Sequence, residues 1–183
     1  MKRQTGFVLG TLGVAIALFL LFLVFETLSY ASMKSKKRAW ESIAEAHLMV
    51  LLSLEEYYRY DCSDDGSVTV PDLNKLKSEG FLNAGLLNSP YNFDFNLRIK
   101  RPNYSFNPEG RVVADGVTFF TLEVGLSPAH LHTHYITALK TKGASFTLSG
   151  GANPKFRITR SLTLSESEAK QEYLDGGIGF LCV

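Results

Sequence analysis

Hydrophobic positions crowd the start of the chain and then settle into a helical rhythm. Nineteen residues from Phe7 to Phe25 pass without a charge, and a helix of that length rises about 28 Å, the thickness of a bilayer core. No polar face interrupts this run, and Glu26 closes it. From Ala39 to Tyr60 the positions Trp40, Ile43, His47, Val50, Leu51, Leu54 and Tyr58 recur at helical spacing, which leaves Glu41, Glu45, Glu55 and Glu56 to other faces. No proline occurs before Pro71. The two stretches therefore join into one predicted helix of about 54 residues, on the order of 80 Å, weakest at Gly10, Gly13 and the basic collar from Lys34 to Arg38.

Beyond Pro71 the pattern changes. A short helix is predicted from Asp72 to Ser78, followed by turn chemistry at Gly80, Gly85, Asn88-Ser89-Pro90 and Asn107-Pro108-Glu109-Gly110. Val117 to Val124, Thr133 to Leu139, Ala144 to Leu148 and Lys155 to Leu164 are rich in β-branched and aromatic residues and are separated by turn signals. They read as about four strands of an antiparallel sheet laid on the long helix, an α+β arrangement. Ser165 and Glu168 stand at capping-box spacing, so a closing helix is expected from Ser165 to Leu174.

Composition narrows the function. With 183 residues the chain has room for one domain and an anchor. Residues 39–183 carry 13 Lys/Arg against 17 Asp/Glu, a net of −4. Phosphate contacts select a basic face, so nucleic acid is not the expected ligand of so acidic a head. No nucleophile elbow, phosphate-binding glycine loop or triad order is present, and no catalysis is expected.

The apolar run has three readings. A secretory signal with Ser29-Tyr30-Ala31 as its cut requires a shorter core than this one. A plain signal anchor accounts for the length. The third reading rests on Lys2-Arg3-Gln4-Thr5-Gly6-Phe7: a few basic and polar residues, a glycine, then phenylalanine opening the apolar helix. This resembles the class III leader of type IV pilins and type II secretion pseudopilins. The resemblance implies a pilin-like fold divided into a leader (1–6), a transmembrane half-helix (7–29), an amphipathic half-helix (30–60) and an extracytoplasmic α+β head (61–183). It also implies cleavage between Gly6 and Phe7 by prepilin peptidase, a membrane-embedded aspartyl peptidase, with methylation of the new terminus. Glycine suits such a cut because a residue without Cβ lets the peptidase approach the backbone.

The family usually places glutamate at the fifth mature position, where this chain has Thr11. That departure points to a minor pilin or pseudopilin, which adds to or primes a filament. The partners implied are other pilin or pseudopilin subunits, prepilin peptidase, the inner-membrane assembly platform and the lipid bilayer. The implied location is the bacterial inner membrane, single-pass with the head outside, and then the pilus or pseudopilus. One count runs the other way: Lys34, Lys36, Lys37 and Arg38 follow the span while only Lys2 and Arg3 precede it, and the positive-inside rule taken literally puts the head in the cytoplasm. A separate alternative is an uncleaved bitopic assembly protein that stays in the inner membrane.

Three constellations complete the reading. An extracytoplasmic head would allow Cys62 and Cys182 to form a disulfide stapling the tail to the helix, worth roughly 4 to 5 kcal/mol in the chain-entropy model; a cytoplasmic one would keep both as thiols. No cofactor is required, but residues 61–72 match the register of a calcium loop, with Asp61, Ser63, Asp65, Ser67, Thr69 and Asp72 as oxygen ligands and Gly66 at the turn. An anchored calcium-binding or metal-binding module follows from that match, against a bland acidic connector whose Asp72 caps the next helix. His130, His132 and His134 alternate, and on a strand they would share a face.

Overall fold

A computed structural model of the chain describes residues 4–65, 69–101, 103–106, 108, 112–115, 117–150 and 154–162, with the backbone alone for 4–13, 15, 62–65, 103–106 and 112–115. It falls into two compact units, Met1–Trp40 and Glu41–Val183.

The apolar and amphipathic stretches form a single α-helix, α1, over Gln4–Asp65. Helical backbone continues through Gly10, Gly13 and the basic collar, and past Tyr60 for five further residues. A glycine costs about 1 kcal/mol in a helix, too little to interrupt a stretch this long that contains no proline. The described residues of the first unit all belong to this helix.

In the second unit α1 turns a stripe toward a sheet. Ala44, Val50, Leu51, Leu54 and Tyr57 are fully buried, with His47 and Tyr58 close behind. Ile43, expected in that stripe, is half-buried. Glu55, expected on a wet face, is buried as well. Its carboxylate accepts from Arg59 Nη2 at 3.1 Å and from Arg160 Nε at 2.8 Å, and these two cations make its burial tolerable.

The short second helix, α2, covers Leu73–Ser78. Asp72 caps it by accepting from the Lys75 backbone N–H at 2.7 Å, and Gly80 follows at φ +84. Six strands come next: β1 Asn92–Lys100, β2 Asn103–Phe106, β3 Val112–Asp115, β4 Phe119–Ser127, β5 Ser145–Leu148 and β6 Lys155–Ser161. β2 and β3 form a separate antiparallel pair around the predicted turn at Asn107 to Gly110. The other four make an antiparallel sheet in the order β1-β4-β6-β5.

The register sorts its residues by face. Phe120, Leu122 and Val124 of β4 stand beside Ile99, Leu97 and Phe95 of β1, and Leu122 and Val124 beside Ile158 and Phe156 of β6. This face meets α1, where the Tyr58 ring sits edge-on to Phe120 at 5.5 Å. The opposite face carries Asp94, Asn96 and Arg98 from β1, Thr121 and Glu123 from β4, and Lys155 and Arg157 from β6.

The antiparallel sheet has four strands, the expected number, but only β4, β5 and β6 lie where strands are expected, and two of the sequence expectations change. The stretch that reads as turns contains β1, whose Phe93, Phe95, Leu97 and Ile99 alternate with polar residues. Thr133 to Leu139, expected as a strand, belongs to the third helix, α3, over His132–Thr141. Its β-branched residues suggest extension, yet Tyr135, Ala138 and Leu139 lie at i, i+3 and i+4 and are the ones buried. Thr137 and Thr141 satisfy their hydroxyls on the carbonyls of Thr133 and Thr137, each at 2.9 Å, so the helix accommodates them. Gly143 at φ +68 ends it, with the Ala144 N–H returning to Leu139 O at 3.0 Å. The closing helix expected from Ser165 to Leu174 lies outside the described residues.

Candidate functional site, the exposed apolar part of α1

Within the first unit, α1 presents apolar side chains that nothing in the unit covers. Val14 and every residue from Ile16 to Leu28 are exposed, Phe19 at 61%, Leu21 at 65% and Phe25 at 69%. A core helix of equal hydropathy would bury such rings, and a monomeric soluble protein rarely exposes so long an apolar run. Among the described helices α1 alone is long and apolar enough to cross a membrane, and none of its apolar window is buried. Among the described side chains of the run, polar chemistry appears only at its end. Glu26 stands there alone, Thr27 Oγ1 donates back to Val24 O at 2.9 Å, and the exposed collar of Lys34, Lys36, Lys37 and Arg38 follows.

The residues expected at the leader cut, Gly6 and Phe7, and the fifth position after it, Thr11, all lie in the helical backbone of α1. Cys62 is in the last turns of α1, and Cys182 lies outside the described residues, so their pairing does too.

The calcium register is spread over different elements. Asp61, Ser63 and Asp65 continue α1 as helix, and Asp61 accepts from the Tyr57 hydroxyl at 3.0 Å. Ser67 is outside the described residues, Thr69 is exposed in the connection, and Asp72 serves as the cap of α2. The three histidines share no strand face either. His130 lies in a 3-10 turn over Ala129–Leu131, while His132 and His134 open α3. His132 Nε2 is 2.8 Å from Leu126 O. Among the described residues no group of three or more His, Cys, Asp or Glu side chains is placed to hold a metal.

Two polar centres escape a reading of the sequence. His47 is buried on α1, its ring edge-on to Phe93 and Phe95 of β1 and to Tyr135 of α3, and its Nδ1 shares a 2.5 Å hydrogen bond with the Tyr135 hydroxyl. Burial pushes the imidazole pKa down to about 3 and the Tyr135 phenol well up, so both are neutral. The only sequence signal was a histidine in an otherwise apolar stripe. The second centre is Glu123, nearly covered on the outer face of β4. Arg157 donates to it at 2.9 and 3.2 Å, Asn96 at 3.2 Å, and Arg98 lies at 3.1 Å. Burial alone would raise its pKa, but the bonds from Arg157 and Asn96 and the charge of both arginines hold it below the usual carboxylate range.

Only strand pairing brings those four residues together. Replacing Glu123 by Gln is expected to destabilise the head by about 1 kcal/mol, a modest figure because Arg98 and Arg157 are half exposed and rehydrate. Urea unfolding of the two proteins side by side measures it, and an unchanged midpoint would assign the cluster no role in stability.

No family model, curated protein or solved structure matches the chain. Its own geometry carries the functional reading: an apolar N-terminal helix able to span a membrane, continuing into a part packed on an antiparallel sheet.

Proposed function

We propose that this protein is a structural subunit of the type IV pilin kind, a minor pilin or pseudopilin stored in the inner membrane and then built into, or priming, a filament. The observation that supports this most is the division of surface along α1. One part offers exposed apolar side chains on all sides, and the other buries a stripe under a sheet. Storage requires the first surface to face lipid, and assembly requires the same surface to face like helices. Exchanging lipid for apolar helices changes hydrophobic energy little, so helix packing and an external energy source must set the direction.

The leader, residues 1–6, would be removed before assembly, which leaves Phe7 as the terminus. Mass spectrometry of the N-terminal peptide from membrane-extracted protein tests this directly: a peptide opening on N-methylated Phe7 is expected. A peptide retaining Met1, or lacking only Met1, would end the filament reading.

A second reading is an uncleaved bitopic protein that docks assembly components through its head. The four cations after the span exceed those before it, and by the positive-inside rule they would place such a protein's head in the cytoplasm. It shares the anchor and differs at the Gly6–Phe7 bond, so the same measurement separates the two.

A further inference from the structure

Glu26 has no cation within reach on its own helix. The positions one turn away, three and four residues to either side, are Phe22, Leu23, Ser29 and Tyr30. It is exposed, as are the ten residues before it, Ile16 to Phe25, and it is the only charge between Phe7 and Met33. In the membrane this position falls at the water boundary and is hydrated. Once the apolar surface packs against other helices that water is displaced, and a lone carboxylate among apolar side chains is costly unless a cation replaces it.

The same helix carries the complement. Lys34 and Arg38 are exposed, lie four residues apart and so form one stripe. We infer that Glu26 of one copy pairs with Lys34 and Arg38 of a second, parallel copy, and that this pair sets the axial shift between neighbouring subunits. The inference rests on the filament reading above and specifies its contact.

The geometry follows from the helix repeat. Lys34 lies eight residues beyond Glu26 and Arg38 twelve, so pairing displaces the second copy along the axis by about 12 to 18 Å. The two long basic side chains can reach across an apolar groove while keeping their stems against it. Around the axis, Lys34 and Arg38 stand about 80° and 120° from Glu26, so each helix gives its carboxylate on one face and receives on another. A contact made between different faces with an axial shift has no two-fold axis. It leaves a free Glu26 at one end and a free collar at the other, and such contacts extend into open filaments rather than closing as dimers. Antiparallel pairing is excluded for copies inserted in the same orientation.

The test co-expresses two differently tagged full-length copies in one membrane and extracts them in mild detergent, where no bilayer holds the two spans at one depth, with capture of one tag and quantification of the other. Glu26→Lys in both copies is expected to lower co-capture about tenfold or more, because like charges then meet. Adding Lys34→Glu and Arg38→Glu to that variant is expected to return co-capture to within about threefold of the original.

Register is read independently. A copy with Glu26→Cys should cross-link to a copy with Lys34→Cys above the background set by Cys62 and Cys182, and a pair of Glu26→Cys copies should not. The cross-link decides the question even where a charge reversal impairs insertion. Undiminished co-capture by an inserted Glu26→Lys protein, or dominant Glu26→Cys self-cross-linking, overturns the pairing while the filament reading stands. Absence of co-capture between unaltered copies overturns the pairing, while the filament reading stands or falls on the Phe7 terminus.

Discussion

Between pH 6.5 and 4.5 the head is expected to lose about 2 kcal/mol of stability through His47 alone, the slope approaching about 1.4 kcal/mol per pH unit once the unfolded imidazole is charged. The sign follows from which state binds the proton. In the unfolded chain the imidazole titrates near 6.5, whereas burial holds it down to about 3 in the folded head. Below pH 6.5 the unfolded state therefore carries more protons, and each further unit of acid favours it until the folded value is reached. The groups packed around the ring supply no negative charge to offset this: Phe93 and Phe95 come from β1 and the neutral hydroxyl of Tyr135 from α3.

Glu123 adds a loss of the same sign, since its lowered pKa contributes stability that disappears with acid. That loss begins only below the ordinary carboxylate value of 4.5. The interval from 6.5 to 4.5 thus belongs to His47. Urea unfolding followed by near-ultraviolet circular dichroism in detergent would measure it, with His47→Gln as the comparison. Glutamine can still bond the Tyr135 hydroxyl but does not titrate, so its stability should be nearly flat across the interval. Equal losses in the two proteins would show that the buried imidazole is not responsible.

Phe120→Ala is expected to cost about 3 to 5 kcal/mol, the range for deleting a fully buried aromatic side chain. Phe119→Ala, one residue away on β4, is expected to cost less than about 1 kcal/mol. Phe120 is completely buried beneath Tyr58, while Phe119 is 40% exposed on the other face. The contrast tests register, because a slip of one residue would exchange the two. The pairing places Phe120 opposite Ile99 and Arg160, with Arg160 reaching Glu55 of α1. A slipped strand would move that arginine's neighbour to the outer face and leave the aromatic layer under Tyr58 incomplete. Equal costs for the two substitutions would rule out this register.

Legibility differed from element to element. The long helix could be read because its evidence is local: an unbroken apolar run, then a 3.6-residue rhythm, and no proline across either. Asp72 could be read as a cap for the same reason, since a side-chain acceptor needs only the three residues after it. β4, β5 and β6 each overlap a stretch rich in β-branched and aromatic residues. β1 was hidden among asparagines and a proline that look like turn chemistry, although Phe93, Phe95, Leu97 and Ile99 alternate within it. α3 was misread because Thr133, Tyr135, Ile136 and Thr137 favour extension, and only the burial of Tyr135, Ala138 and Leu139 reveals its period.

The candidate site divides in the same way. The apolar surface, its closing Glu26 and the collar from Lys34 to Arg38 were visible in the linear order, because a membrane-length segment is defined by consecutive residues. Glu55 with Arg160, Glu123 with Arg98 and Arg157, and His47 with Tyr135 were not. Each joins residues from different elements, and no local pattern encodes which strand lies beside which.

By itself the sequence determined that this chain has a membrane-length apolar helix, an amphipathic continuation and an acidic α+β head, since hydrophobic length, period and charge are sums over neighbours. Tertiary structure decided that a nine-residue strand lies at Asn92–Lys100, that His132–Thr141 is helix, and that Glu55, Glu123 and His47 are buried with partners. Those outcomes depend on desolvation, and whether a side chain is desolvated is settled only when distant segments close over it.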